Sequence, residues 1–251
     1  MPRKKLIAAN WKMYKTPQQA REFMRAFLPL VKGHTRDEIV VCPPFVCIPV
    51  VVEEAQSGIG IGGQDLYWEK EGAYTGEISA AMLLGAGCTH VIIGHSERRQ
   101  YFGETDDTVN RKLITALNAG LTPIVCVGEV LEEREAGITE DVLRRQVVNA
   151  LREISSLQAA PMTIAYEPVW AIGTGKTATP AIASEAHGII RDQAAETLGA
   201  EVADEMRILY GGSVKPENAS ALMAQNEIDG ALVGGASLDP KSFAAIVKYQ
   251  S

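Results

Sequence analysis

The chain has 251 residues, of which 46% are hydrophobic and 22% charged, with a formal net charge of -7. An acidic chain is a poor candidate for binding nucleic acid, because that interaction depends on neutralising phosphates. A small anionic substrate needs only a local positive site and is not excluded by the overall charge. No linker or low-complexity stretch interrupts the sequence, so we predict one domain over residues 1–251 and no nucleic-acid partner.

The sequence predicts neither a membrane segment nor a secretion signal. No run approaches the roughly 20 apolar residues that span a bilayer, and the apolar run after the basic N-terminus is interrupted by Asn10 and Lys12. The chain has four cysteines, Cys42, Cys47, Cys88 and Cys126. They form no CxxC pair and lie in or beside apolar segments, which predicts reduced, buried thiols, a cytoplasmic location and no metal site.

Short apolar runs alternate with helical patterns along the whole chain. The predicted strands are Leu6–Trp11, Ile39–Cys42, Ile59–Gly63, His90–Gly94, Thr122–Val127, Met162–Tyr166, Arg207–Tyr210 and Gly230–Val233. These runs are continuously apolar rather than alternating, which is typical of parallel strands buried on both faces.

The helical patterns lie between these strands. Thr16 is predicted to cap the first helix, and Gly120 to follow the end of another. The predicted helices are Pro17–Val31, Thr105–Asn118, Thr139–Ile154, Pro180–Leu198, Pro216–Ala224 and Pro240–Lys248. About eight strand–helix repeats in one domain predict an α/β fold of the (β/α)8-barrel type, and the alternative is an open, doubly wound sheet.

Polar residues and glycines cluster just after the predicted strands. They are Asn10, Lys12, Gln64, Asp65, His95, Glu97, Glu129, Glu167, Gly211–Ser213, Gly234 and Gly235. In a barrel, these positions share the carboxyl-end face, where active sites lie. The stretch Gly58–Gly63 fits GxGxxG, but it lies within a predicted strand, so no dinucleotide cofactor is expected.

Glu167 ends a buried strand and begins the most informative segment. Pro168 stiffens the exit from the strand, Gly173 and Gly175 loosen the far end, and apolar residues lie between them. This pattern predicts a mobile lid formed by Pro168, Val169, Trp170, Ala171, Ile172, Gly173, Thr174, Gly175 and Lys176. Closing such a lid would expel water and raise the pKa of the carboxylate, making it a stronger base. An ordinary surface glutamate remains the alternative for Glu167 considered alone.

The segment Ala165–Gly175 resembles the signature of triosephosphate isomerases. Further segments resemble the first, fourth, seventh and eighth strands of that family: Ala8–Met13, Ile93–Arg99, Tyr210–Val214 and Leu232–Leu238. The resemblance covers essentially the whole chain. It implies a TIM-barrel isomerase without cofactor or metal, which interconverts dihydroxyacetone phosphate and D-glyceraldehyde 3-phosphate through an enediolate in glycolysis and gluconeogenesis.

The resemblance also implies roles for the catalytic side chains. Glu167 would be the base, and His95 would donate a hydrogen bond to the enediolate oxygens. The short helix start after His95 would lower the pKa of this histidine and keep it neutral. Lys12 would supply positive charge to the substrate, and Asn10 would orient Lys12. Glu97 would pair with them, with a purely structural ion pair as the alternative.

The implied phosphate site consists of backbone N–H groups at Gly173, Ser213, Gly234 and Gly235, assisted by Asn10 and Lys12. A pure turn role is the alternative for Gly211 and Gly212, and Cys126 is assigned to packing. The rival functions are those of a sugar-phosphate epimerase, a Schiff-base aldolase and a non-catalytic binding protein. An aldolase would need a lysine within a barrel strand, and none is predicted there.

The connection Gln64–Ser79 is unusually long and irregular and carries Tyr67, Trp68 and Tyr74. Long loops in compact domains are usually functional, and aromatic residues are enriched at interfaces. A lid over the chain's own barrel is the alternative. The family resemblance implies a homodimer, in which this loop enters a pocket of the partner and Thr75 contacts the segment 10–12 of the partner.

Overall fold

The computed structural model describes residues 3–55, 58–171 and 178–250. Within these residues there are eight strands: β1 (Leu6–Asn10), β2 (Glu38–Cys42), β3 (Ile59–Gly63), β4 (His90–Ile93), β5 (Thr122–Val127), β6 (Thr163–Tyr166), β7 (Arg207–Tyr210) and β8 (Gly230–Val233). Each strand pairs in parallel with the next one, and β8 pairs with β1 to close a barrel. The predicted (β/α)8 barrel is confirmed, and the open doubly wound sheet is wrong.

The helices surround this barrel. In the described part of the chain they are α1 (Pro17–Val31), α2 (Ile48–Glu54), α3 (Ala80–Gly85), α4 (Ser96–Phe102), α5 (Asp106–Ala119), α6 (Leu131–Glu135), α7 (Thr139–Leu151), α8 (Ser156–Ala159), α9 (Pro180–Leu198), α10 (Ala200–Glu205), α11 (Pro216–Met223) and α12 (Pro240–Val247). Short 3-10 turns at Phe45–Cys47, Val169–Ala171 and Gly235–Leu238 follow β2, β6 and β8.

The strands bury both of their faces, in two separate apolar clusters. Leu6 and Ala8 belong to the cluster inside the barrel, whereas Ile7 and Ala9 belong to the larger cluster between the barrel and the helices. Successive side chains of a strand point to opposite faces, so both sets must be apolar. This double burial explains why the sequence shows continuous apolar runs.

Local signals placed several helix ends correctly. The Thr16 side chain accepts a hydrogen bond from the Gln19 N–H and caps α1, as predicted. Gly120 follows α5 with a left-handed backbone, φ +86°, as predicted. Thr105 precedes α5 as its cap instead of starting the helix, since its side chain accepts from the Thr108 N–H.

Some boundaries and several short elements differ from the prediction. Trp11 lies beyond β1, although its N–H still donates to the Cys42 carbonyl, and β4 ends before Gly94, whose φ is +74°. The prediction omitted the short helices α2, α3, α6, α8 and α10. Helices of four to seven residues are marginal in isolation, so packing rather than local preference stabilises them.

All four cysteines are buried and free. None of the helices in the described ranges combines the length and apolar character needed to cross a membrane.

Candidate active site

The ends of five strands bring the predicted catalytic residues together. Asn10 is the last residue of β1, Lys12 follows it, and His95 and Glu167 follow β4 and β6. The loops after β7 and β8 complete one cavity of about 430 Å³. Because carboxyl ends of parallel strands meet at one rim, residues more than 200 positions apart line the same cavity.

Glu167 and His95 form a buried pair that lines this cavity. Their Oε1 and Nε2 atoms lie 2.9 Å apart, and their side chains are 3% and 7% exposed. The other carboxylate oxygen of Glu167, Oε2, accepts the Ser96 N–H at 2.9 Å. Both oxygens of Glu167 are therefore engaged by α4 and the residue before it.

His95 caps α4, and this contact decides which ring nitrogen carries the proton. Its Nδ1 accepts the Glu97 N–H at 3.2 Å. A nitrogen that accepts an N–H carries no proton, so the neutral ring is protonated at Nε2 and donates to Glu167. Protonating Nδ1 would break the bond from Glu97, so this contact favours the neutral ring.

Glu167 and His95 shift each other's pKa in opposite directions. Burial raises the pKa of Glu167, but the opposing effects of His95 and of the Ser96 N–H are together larger, and the net shift is downward. Burial lowers the pKa of His95, but the charge and hydrogen bond of Glu167 shift it upward overall. Each group thus stabilises the charged form of the other in this arrangement, and Glu167 opposes the fall expected for His95. The rise expected for Glu167 concerns the closed lid, most of which lies outside the described residues, and it stays a prediction.

Lys12 lies beside this pair in an uncommon backbone conformation. Its φ is +50°, and its N–H donates to Asn10 Oδ1 at 2.9 Å. Its Nζ lies 2.6 Å from Glu97 Oε1, which gives the predicted contact between the two side chains. The carbonyl of Lys12 accepts from Gln64 Nε2 at 2.9 Å. Sequence analysis assigned no role to Gln64, although its position directly after a strand was the signal available.

Two glycines of the cavity, Gly211 and Gly212, lie so close to neighbouring atoms that a side chain would not fit without movement. A Cβ at Gly211 would lie 2.9 Å from Glu167 Cγ, and a Cβ at Gly212 would lie 2.3 Å from the Tyr210 hydroxyl. A pure turn role is therefore too weak an explanation for both. Ser213, Gly234 and Gly235 line the cavity as expected, whereas Gly173 lies outside the described residues.

The first part of the predicted lid is tied to Glu129. Val169–Ala171 forms a 3-10 turn, the Val169 N–H donates to the Glu129 carbonyl, and Trp170 Nε1 donates to Glu129 Oε1 at 2.9 Å. The same oxygen accepts from the Tyr166 hydroxyl at 3.1 Å and from Arg134 at 3.2 Å. Sequence analysis noted the position of Glu129 but not this function. The remaining lid residues, Ile172, Gly173, Thr174, Gly175 and Lys176, lie outside the described residues.

Cys126 has closer contact with the site than a packing role implies. Its thiol is fully buried and interacts directly with the Glu167 carboxylate. Burial and this carboxylate raise the pKa of the thiol well above its ordinary value. The Cys126 side chain is thus a neutral thiol that lies next to Glu167.

The connection between β3 and α3 has no helix or strand, as predicted. Tyr67 packs against Trp68 and Tyr74, with ring centroids 4.0 and 4.7 Å apart. Thr75 lies at the exposed part of this loop. The structure thus gives the loop an internal aromatic cluster and leaves Thr75 accessible.

These features define a (β/α)8-barrel protein with a buried carboxylate–imidazole pair, an adjacent lysine and a glycine-lined cavity at the carboxyl ends of its strands. The family model described as triosephosphate isomerase matches residues 5–250. Proteins named triosephosphate isomerase from Solibacter usitatus and Moorella thermoacetica are 56% and 59% identical to this chain, over 98% of it and 100% and 99% of their own lengths. One from Clostridium botulinum is 56% identical over 97% of this chain and 98% of its own. The chain belongs to the triosephosphate isomerase family.

Proposed function

We propose that this chain interconverts dihydroxyacetone phosphate and D-glyceraldehyde 3-phosphate by proton transfer through an enediolate, without cofactor or metal. Membership of the family supports the reaction. The observation that carries the residue roles is the 2.9 Å contact between Glu167 and His95 in a cavity that also contains Lys12. A base, a neutral hydrogen-bond donor and a fixed positive charge are the groups that such a proton transfer needs.

In this proposal Glu167 takes a proton from the carbon next to the carbonyl and returns it to the neighbouring carbon. His95 donates from Nε2 to the oxygens on which negative charge develops. In the structure this N–H donates to Glu167 itself, so bound substrate must replace the carboxylate as its acceptor. Releasing Glu167 from His95 and Ser96 removes the contacts that lower its pKa, and its basicity rises when substrate is bound.

Lys12 and Asn10 support the developing charge and the substrate phosphate. Lys12 already has Glu97 as its ion-pair partner at 2.6 Å, which holds the side chain in the cavity. We assign the phosphate to the backbone N–H groups at Ser213, Gly234 and Gly235, and to Gly173 in the lid.

Two alternative functions have less support. A Schiff-base aldolase would need a lysine inside a strand, and none of the eight described strands contains one. A non-catalytic binding protein would not need the Glu167–His95 pair, which costs burial of two polar groups. Neither alternative uses the arrangement that the site presents.

The direct test is a coupled assay with glyceraldehyde 3-phosphate on the wild type and Glu167→Ala. General-base catalysis typically contributes roughly 10²–10⁴ in rate, so kcat should fall by about that factor, with a much smaller change in KM. Glu217→Ala, an exposed glutamate in α11, is the control and should keep full activity. Wild-type kcat in a folded Glu167→Ala variant would refute the proposal.

We further infer that residues 168–176 close over the bound substrate, with Ile172 and Leu232 excluding water from Glu167. The support is the position of Leu232 in the cavity and the turn Val169–Ala171 at the start of the segment. An unreactive three-carbon phosphate should change the fluorescence of Trp170, and this change should be absent in Trp170→Phe. No fluorescence change at saturating ligand would contradict lid closure.

We also propose that the chain forms a homodimer through the Gln64–Ser79 loop, with Thr75 on the partner's segment 10–12. Large exposed hydrophobic residues follow each of the first four strands, which are neighbours in the barrel: Met13 and Tyr14 after β1, Val46 after β2, Tyr74 in the loop after β3, Met82 in α3 and Phe102 at the end of α4. Adjacent exposed apolar residues mark interaction surfaces. The free, buried cysteines support a cytoplasmic location.

Thr75→Asp tests the dimer. It should give monomers by sedimentation and reduced activity, because Lys12 would lose a supporting contact from the partner. Thr197→Asp places the same charge on an exposed part of α9 and should leave the dimer unchanged. A wild type that sediments as a fully active monomer at micromolar concentration would refute the dimer.

A further inference from the structure

A second and larger cavity lies on the other side of Glu167. Its volume is about 600 Å³, and it is bounded by α4, by the residues after β5 and by the start of the lid segment. Among the described lining residues, Glu167 is the only one that it shares with the substrate cavity. The catalytic carboxylate is therefore a wall between two separate cavities.

The walls of this second cavity are largely apolar and aromatic. Tyr101 and Trp170 contribute rings, and Val127, Val130 and Leu131 contribute aliphatic side chains. Pockets of roughly 300–1,000 Å³ with such walls and a few polar groups bind small organic molecules. The size and lining favour a ligand with one aromatic ring.

The charged groups of the cavity favour a cation. Arg99 is its one lining cation among the described residues, and all three of its nitrogens are engaged: Nη1 with Asp106 at 2.6 Å, Nε with the Gly94 carbonyl at 2.9 Å, and Nη2 with the Cys126 carbonyl at 3.4 Å. Three of the five N–H donors of Arg99 are thus engaged with protein oxygens, and its charge is paired with Asp106.

The acidic lining residues are less fully engaged. Glu132 is exposed, and its side chain has no hydrogen bond or ion pair to any residue in the described ranges. Glu133 uses Oε2 to accept the Val130 N–H at 3.0 Å, and its Oε1 lies 3.7 Å from Arg145. Three carboxylates and one arginine therefore line the cavity, and Glu132 is the carboxylate whose side chain has no partner among the described residues, so the formal charge of the lining favours a cation.

We propose that this cavity is an inhibitory site for small aromatic cations, with the ring between Tyr101 and Leu131 and the ammonium group near Glu132. Rings and carboxylates both favour a cation at this position. A bound cation also stabilises Glu167 in its present position between His95 and Ser96. The ligand contacts Val169 and Trp170 as well, and it therefore holds the first residues of the lid.

The inhibition follows from the proposed role of Glu167 as base, whereas binding itself does not depend on that role. A ligand in this cavity contacts Glu167 and opposes its release from His95 and Ser96, and the positive charge of the ammonium group near Glu132 adds to this by favouring the ionised carboxylate. The substrate cavity stays open, but substrate must displace Glu167 from His95, so kcat should fall and KM should rise as well. Binding in the substrate cavity would instead raise KM and leave kcat unchanged.

The probe is 2-phenylethylammonium, measured by calorimetry on the full chain and by steady-state kinetics. A fragment of this size is expected to bind with a dissociation constant of the order of millimolar. The isosteric neutral 2-phenylethanol should bind more weakly. Added salt should weaken binding of the ammonium compound but not of the alcohol.

Glu132→Gln removes one lining charge and should weaken binding of the ammonium probe about 2–5-fold, the size expected for an exposed charge pair. Glu135→Gln is the matched control, because Glu135 lies in the same helix, α6, but does not line the cavity. It should leave binding unchanged, and both variants should keep the basal kcat.

Several results would overturn the site. They are no saturable heat with the wild type, equal affinity for the ammonium compound and the alcohol, equal weakening in Glu132→Gln and Glu135→Gln, or a rise in KM at constant kcat. If the wild type showed no isomerase activity, the proposed function would fail, and calorimetry with the two variants would still decide the cavity.

Discussion

Gly128→Ala should move Glu167, the proposed catalytic base, without changing any side chain of the site. Gly128 directly follows β5, and a Cβ at this position would lie 1.7 Å from the carbonyl oxygen of Glu167 and 2.6 Å from its carbonyl carbon. Both are backbone atoms, so no change of rotamer can relieve the contact. The prediction concerns the position of Glu167, since its own backbone carries the clash.

The size of the displacement follows from the distances. Real Cβ atoms essentially never approach closer than 3.0 Å, so the two backbones must separate by about 1.3 Å. Gly128 cannot easily yield, because its N–H donates to Gln146 Oε1 at 2.7 Å and its carbonyl accepts from Gln146 Nε2 at 3.2 Å. The end of β6 must move instead. Misplacing a catalytic group by 1 Å costs roughly 10²-fold in rate, or about 2.7 kcal/mol of barrier.

The assay is kcat in the coupled reaction, together with the thermal midpoint of unfolding. Gly188→Ala is the control, because no heavy atom lies within 4 Å of its added Cβ inside α9. It should keep full activity and gain roughly 0.5–1 kcal/mol of stability, as alanine favours a helix interior over glycine. A folded Gly128→Ala variant with unchanged kcat would refute the reasoning.

Three further perturbations have defined outcomes. Burial raises the pKa of Asp65 to about 6, and a group whose pKa is raised by folding stabilises the protein as the pH falls. From pH 7 to 4 the free energy of unfolding of the wild type should therefore rise by up to about 3 kcal/mol relative to Asp65→Asn in urea titrations. Parallel pH profiles of the two proteins would contradict this. Contact with His90 and a neighbouring arginine lowers the pKa of Glu38 to about 2. In thermal melts, Glu38→Gln should lower the stability by about 1–2 kcal/mol above pH 4.5, after allowance for the partial exposure of Glu38, and this loss should become small near pH 2. Asn10→Ala removes the acceptor for the Lys12 N–H, so the strained backbone at Lys12 should relax. We expect kcat/KM to fall about 5–10-fold. An unchanged kcat/KM would rule out this positioning role of Asn10.

Local sequence was sufficient to predict features in which one type of residue satisfies a backbone or burial requirement of its own segment. The cap at Thr16, the left-handed Gly120 and the doubly buried strands all follow from preferences that act within a few residues. The placement of Glu167, His95 and Lys12 on one rim also follows, because parallel strands that close a barrel must end on the same face.

Contacts between distant segments required the folded chain. Glu129 accepts hydrogen bonds from three side chains on one oxygen, and Asp65 lies 2.7 Å from Lys112, 47 positions away, and 2.8 Å from Arg98. Nothing in the neighbouring sequence of these residues specifies such partners. The short helices omitted from the prediction belong to the same class, because packing against the barrel stabilises them rather than their own residues.

The sequence by itself determined the barrel, the order of its elements and the set of reactive side chains at the strand ends. Only the tertiary structure decided the ionisation of those side chains and the space around them. The pKa of Glu167 shifts opposite to the direction expected from burial alone, because His95 and the Ser96 N–H contact its carboxylate. The cavity behind Glu167 likewise exists only where α4, the β5 loop and the lid segment meet. Charge and shape in a site depend on distances of a few ångströms between groups far apart in the chain, and those distances are set when the strands close.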